Sequence, residues 1–183
     1  MLCVRNRKAE SGPIRLWGEA LERLALTVDG TEPAAVREAE SVLEIDAKGD
    51  RVVVEVVTRL DPRANTTLSG LYLSSGGFFT QCEAEGFRRI TWFPDRPDVM
   101  ARYTVTLDAE RAACPVLLSN GNLLEQGELP GGRHYAKWED PFPKPCYLFA
   151  LVAAKLVALE RTVTTASGRE VLLQVWVEEG NLD

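Results

Sequence analysis

Much of this sequence is written in period two: short runs rich in valine, leucine and threonine, each closed within a few residues by Gly, Asp or Asn. β-Branched residues pack well on a pleated surface, and Gly, Asn and Asp supply the dihedrals that reverse a chain, so such runs predict strands joined by tight turns. Leu24-Ala25-Leu26-Thr27-Val28 runs into Asp29-Gly30, Val42-Leu43-Glu44-Ile45 follows, and Arg51-Val52-Val53-Val54-Glu55-Val56-Val57-Thr58 comes after the turn Lys48-Gly49-Asp50. Val116-Leu117-Leu118-Ser119 is predicted to form a hairpin with Leu123-Leu124-Glu125 through Asn120-Gly121-Asn122. Gly131-Gly132 marks a second turn before a strand over 134–139, and further strands are expected over 146–153, 156–164 and 171–177. The sum is an all-β fold, a sandwich-like antiparallel domain of hairpins with one short helical turn.

Three stretches need separate treatment. The segment from Leu148 to Glu160 is rich in Ala and Leu, and propensity alone would make it helical; it is read here as two strands meeting near Ala154-Lys155. Asp140-Pro141-Phe142-Pro143-Lys144-Pro145 reads as a rigid extended connector, because each proline removes a donor and restricts the residue before it. Residues 95–102 read as a loop opening a short helical turn, with Asp95 or Asp98 as its cap.

The chain has 183 residues, 45% of them hydrophobic and 26% charged, which suits one domain over residues 1–183 with its own core. Its net charge of −6 argues against nucleic acid as a partner, since phosphate binding draws on clustered Lys and Arg. No window approaches the roughly 18 apolar residues of a spanning helix, and the first residues lack a signal-peptide charge order, so neither a membrane nor a secretory route is expected. Cys3, Cys82, Cys114 and Cys146 form no Cys-x-x-Cys pair and read as reduced thiols, which points to the cytoplasm. The single histidine, His134, cannot build a multi-imidazole zinc site, and without a Gly-x-Ser-x-Gly elbow it reads as a strand histidine satisfied by a neighbour. No catalytic or metal-ligating residue is therefore assigned. Leu2-Cys3-Val4 reads as the tail of a strand and Gly180-Asn181-Leu182-Asp183 as a linker, so the chain is expected to be one piece of a longer protein.

The run Thr80-Gln81-Cys82-Glu83-Ala84-Glu85-Gly86-Phe87-Arg88-Arg89 carries the chemistry. If extended, it puts Gln81, Glu83 and Glu85 on one face and the small residues Cys82, Ala84 and Gly86 on the other. Neighbouring carboxylates repel unless a cation sits among them. That cation is either Arg88, Arg89, Arg96 or Arg102, or a ligand ammonium that Gln81 helps to receive with its carbonyl. A glycosidase-like acid/base pair fits less well, because such carboxylates face each other across a cleft.

This run, with Gly70-Leu71-Tyr72, Phe93-Pro94-Asp95-Arg96-Pro97-Asp98-Val99, Leu118-Ser119-Asn120-Gly121-Asn122 and the long block from Trp138 through Asp140-Pro141-Phe142-Pro143-Lys144-Pro145-Cys146 to Val152, resembles the N-terminal domain of the zinc-dependent aminopeptidase N family in its bacterial form. The likeness runs from about Leu68 to Asp183 and more loosely from Arg5 to Leu60. It implies a saddle-shaped all-β domain followed in the parent enzyme by a catalytic domain that holds the zinc. It further implies that Glu83 anchors the α-amine of a peptide substrate with Gln81 beside it; Glu85 is left to the ion-pair reading, paired with a nearby arginine. The family's His-Glu-x-x-His and Gly-x-Met-Glu-Asn motifs are absent, so this chain is not expected to hydrolyse peptides alone. The competing expectation is a free-standing β-sandwich interaction module derived from that domain. In either case an uncovered apolar surface is expected around Trp92, Phe93 and Phe142. An esterase built on His134 has no support beyond the residue itself.

Overall fold

The computed structural model describes the backbone of residues 2–6 and all atoms of residues 12–46 and 51–182. The strands, in chain order, are β1 (Leu2–Asn6), β2 (Ile14–Trp17), β3 (Glu22–Val28), β4 (Val36–Ala39), β5 (Val42–Ile45), β6 (Val52–Arg59), β7 (Gly70–Ser74), β8 (Gly77–Gln81), β9 (Ala101–Glu110), β10 (Val116–Ser119), β11 (Asn122–Leu129), β12 (Arg133–Lys144), β13 (Leu151–Ala154), β14 (Val157–Thr164) and β15 (Glu170–Val177). The described residues contain no α-helix, only 3-10 turns at Phe87–Arg89, Pro130–Gly132 and Cys146–Leu148. The strands form antiparallel sheets in the orders β1-β6-β3, β2-β5-β4, β10-β13-β8-β7, β11-β12-β9 and β14-β15. All-β is thus the observed class. Among the described residues, no helix is long and apolar enough to cross a membrane.

Period-two patterning becomes burial directly. In β6, Val52, Val54 and Val56 point inward while their neighbours do not, and they meet Leu16, Leu26, Leu43, Ile45 and Trp92 in the first core. Each such side chain removed from water contributes about 1.5–3 kcal/mol. A second core gathers Cys82, Phe87, Phe93, Tyr103, Cys146 and Phe149. There the Phe87 ring meets Phe93 at 4.8 Å and Phe149 at 5.1 Å, both edge to face. Leu107, Cys114, Leu117, Ala136 and Ala153 make a third.

Several expectations need correction. The Asn120-Gly121-Asn122 turn does not close a hairpin: β10 pairs with β13, and β11 pairs with β12. Gly121 adopts φ +88, and a Cβ there would clash with the Glu139 carbonyl oxygen; at this glycine the chain crosses from one sheet to another. Asn120 is tied instead to the segment ahead of β13, donating from Nδ2 to Leu148 O at 3.1 Å and accepting from Ala150 N at 2.6 Å. The proline-rich connector is continuous with β12, although the ladder with β9 is interrupted between Asp140 and Lys144, where proline has no donor to give. The strand expected over 146–153 opens as a 3-10 turn and becomes extended only at β13. Residues 95–102 make a turn that enters β9, with no helix for Asp95 to cap. Trp92 and Phe93 are core residues, 3% and 4% exposed, rather than open surface; Phe142 is open, at 74%. The turn Lys48-Gly49-Asp50 lies outside the described residues.

Other expectations hold. The Gly131-Gly132 turn joins β11 to β12, and the Ala/Leu-rich stretch divides into β13 and β14 on either side of Lys155. β2, β4, β7, β8 and β9 were not read from the sequence. Cys82, Cys114 and Cys146 are free thiols. His134 is buried in β12, with Nε2 2.7 Å from the Cys114 carbonyl and Nδ1 3.4 Å from Arg111 Nη1; an Nε2–H tautomer that accepts from Arg111 satisfies both contacts.

Candidate functional site

β8 reaches the site between β7 and β13, with Gln81 paired to Gly70 at the end of the ladder. There the chain leaves the sheet. Cys82 turns inward against Phe87 and Phe149, Glu83, Ala84 and Glu85 are exposed, and Gly86 returns to the interior. The peptide bond between Glu83 and Ala84 is cis. Gly86 N donates to Cys82 O at 2.8 Å and closes the turn, which runs straight into the 3-10 turn Phe87–Arg89. Only glycine fits at 86, because a Cβ would lie 2.3 Å from the Gln81 carbonyl oxygen and 3.0 Å from Cys82 Cα.

The extended geometry expected for residues 81–85 is therefore replaced by a turn, and the alternation argument fails with it. The two carboxylates have separate fates. Glu85 is paired with Arg88, its Oε2 3.2 Å from Nη1. The Glu83 carboxylate has no ion-pair partner among the described residues; Gln81 lies next to it, with Nε2 donating to the Glu83 main-chain carbonyl at 3.4 Å. The arginines proposed as its counter-ions are engaged elsewhere: Arg88 with Asp95, Arg89 with Glu19 and Thr67, and Arg96 with Asp98. Arg102 makes no salt bridge with Glu83 either.

Behind the turn lies a network that sequence reasoning missed. Asp95, 5% exposed, accepts at Oδ2 from Arg88 N at 3.1 Å and Arg88 Nε at 2.9 Å, and its main-chain carbonyl accepts from Arg88 Nη2 at 3.0 Å. Its Oδ1 accepts from Cys146 Sγ at 2.9 Å. Burial and then the Asp95 charge push the Cys82 thiol up to about 12, and burial and the Asp95 hydrogen bond raise Cys146 as well. The only local signal was that Asp95 follows a proline and precedes another by two residues, which disfavours a helix for it to cap.

The described residues contain no group of three or more His, Cys, Asp or Glu side chains able to hold a metal, and both ring nitrogens of His134 are engaged within the protein. The zinc that the resemblance implies does not fit these residues.

The family model for the peptidase M1 N-terminal domain matches residues 31–148. Aminopeptidase N of Escherichia coli strain K12 is 49% identical over 175 residues, covering 96% of this chain and 20% of that protein. Aminopeptidase N of Caulobacter vibrioides is 49% identical over 182 residues, covering 98% and 21%. Among solved structures, Legionella pneumophila aminopeptidase A in complex with aspartic acid superimposes with a TM-score of 0.89 at 35% identity, over 96% of this chain and 21% of that one. An M1 zinc metallopeptidase from Deinococcus radiodurans, 16% identical, shares the fold at a TM-score of 0.77 over 93% of this chain and 41% of that one. The chain thus spans about a fifth of the length of the curated relatives it matches.

Proposed function

The chain belongs to the peptidase M1 N-terminal domain family, whose model matches residues 31–148, and on that footing we propose that residues 1–183 are the amine-binding, non-catalytic domain of a cytoplasmic zinc metallo-aminopeptidase. Glu83 receives the α-ammonium of a peptide substrate and Gln81 lines the same edge. Holding the amine at one carboxylate sets the register of the peptide, so that only the bond nearest the N-terminus lies at a fixed distance from this turn. Zinc and the hydrolytic chemistry belong to the catalytic domain that follows.

The observation that carries this reading is the contrast within one turn. Glu85 has an ion-pair partner in Arg88, whereas Glu83 stands exposed with no counter-ion among the described residues. A free carboxylate on a turn closed by buried Cys82 and Gly86 is a ready acceptor for an ammonium, and it is the residue that the family resemblance assigns to that task.

The test is Glu83→Gln in the full-length enzyme. A charge-assisted hydrogen bond contributes about 1.5–3 kcal/mol, so KM for a peptide with a free N-terminus should rise roughly 10- to 100-fold with zinc content unchanged. Glu85→Gln should move KM less than about threefold, since its exposed pair with Arg88 contributes little. An unchanged KM in Glu83→Gln would sink the proposal.

A further inference from the structure

We infer that Asp95 is a positioning residue for Glu83, holding the amine-binding turn in place from the core through Arg88; this rests on the amine-binding role proposed for Glu83. The segment bearing Glu83 is pinned at two points. At its start, Gln81 is fixed by the ladder of β8 with β7. At its end, buried Phe87 and the bond from Gly86 N to Cys82 O hold the start of the 3-10 turn Phe87–Arg89, but that turn is only one turn long and has no side-chain cap to fix Arg88. Asp95 fills that gap. One carboxylate oxygen takes both the main-chain N–H and the Nε–H of Arg88, and the neighbouring main-chain carbonyl takes Nη2–H.

Asp95 is itself held. Cys146 Sγ, from the 3-10 turn preceding β13, donates to its second oxygen. Asp95 N donates to Phe93 O at 2.7 Å, and Phe93 exchanges main-chain hydrogen bonds with Trp17 at 2.8 and 3.0 Å. The Arg88 carbonyl in turn accepts from Glu19 N at 2.9 Å. A displacement of the Arg88 end would be transmitted along the short connection 83–88 to Glu83, whose carboxylate has no contact of its own to resist it. Buried charge-assisted bonds of this kind are directional and little weakened by solvent, which suits them to fixing geometry. The exposed Glu85–Arg88 pair, open to water at Glu85, adds little to that restraint.

The test uses the full-length enzyme and compares alaninamide with propionamide, its desamino analogue, as competitive inhibitors, because only the first carries the ammonium that Glu83 would hold. Asp95→Asn should raise the inhibition constant of alaninamide about tenfold, the scale of loss expected from a displaced contact, and leave that of propionamide unchanged. In the Glu83→Gln background, Asp95→Asn should add no further loss, since a positioning residue has nothing left to position. Arg88→Lys keeps the buried positive charge but loses the fork, and the same pattern is expected of it; it serves as the readout if Asp95→Asn does not fold. Equal losses for both inhibitors, or a full additional loss in the double variant, would overturn the inference. If instead Glu83→Gln alone leaves alaninamide inhibition unchanged, the amine-binding reading itself fails, which is a separate result.

Discussion

The thiols flanking Asp95 make a prediction about pH at the scale of single residues. Cys82 is pushed up to about 12 by burial and by Asp95, and Cys146 is raised by burial and by its bond to Asp95. Both are therefore protonated in the fold, whereas in the unfolded chain a thiol ionises near pH ~8.5. The unfolded state then binds fewer protons above that value. The stabilisation is fully present below about pH 8.5 and is lost as pH rises towards the folded value, at about 1.4 kcal/mol per pH unit for each thiol. In urea unfolding of the chain between pH 8 and 10, Cys82→Ala should show the shallower decline, by about one thiol's share; equal slopes would mean that Cys82 is not held neutral. At this scale the sequence offers residue types but not their arrangement. Glu83 and Gln81 stood out by type, but period-two alternation could not foresee that Gly86 packs onto the Gln81 carbonyl and folds the run into a turn. Asp95 was invisible as a hub because its partners, Arg88 and Cys146, meet it only in the tertiary fold.

Among the elements, β14 and β15 stand apart. They pair only with each other among the described residues, and one face of this ribbon carries Val157 opposite Val177, Leu159 opposite Val175, Arg161 opposite Leu173 and Val163 opposite Val171. Leu159 is 59% exposed and Val175 58%. A two-stranded ribbon is marginal in water without a layer against its apolar face. Its amides should therefore exchange with solvent at least about tenfold faster than those of β12, which lies between β9 and β11 in its sheet. Hydrogen exchange of the 183-residue chain resolved by strand tests this, and equal protection in β12 and β14 would show that the ribbon is stabilised by something other than its two strands. The same contrast explains what was legible. The ribbon was read from Ser167-Gly168-Arg169 between two apolar runs, a local signal, whereas the partner of β10 was missed because it lies in β13, across a crossover that Asn120-Gly121 disguises as a hairpin. β9 carried a signal that went unread, since Tyr103, Val105 and Leu107 alternate with Thr104, Thr106 and Asp108.

Across the whole molecule, the first core and the site are joined by one seam. Trp17 and Phe93 exchange main-chain hydrogen bonds, Gly18 N donates to Ser41 O at 3.0 Å, and Glu19 N donates to Arg88 O next to the candidate site. Trp92 seals this junction from the side of the first core. Gly18 is the residue that lets it close, because a Cβ there would lie 2.4 Å from Trp92 Cδ2 and within 2.6 Å of two further ring atoms. A buried indole flanked by main-chain pairs cannot swing aside as an exposed lysine could, so Gly18→Ala must move either the ring or the strand. Overpacking of this sort costs about 1–3 kcal/mol, which for a chain of this size lowers Tm by roughly 2–12 °C. The shift should also reach the site, since Glu19 and Arg88 lie on the same seam. In the full-length enzyme, Gly18→Ala should therefore raise KM for free-amine peptides as well as lower Tm. Gly30→Ala, with nothing within 4 Å of its Cβ but a backbone at φ +79, should lower Tm through strain alone and leave KM where it was. If both variants lowered Tm and neither touched KM, the seam would hold the two cores together without bearing on the site, and the coupling argued from Glu19 to Arg88 would be wrong.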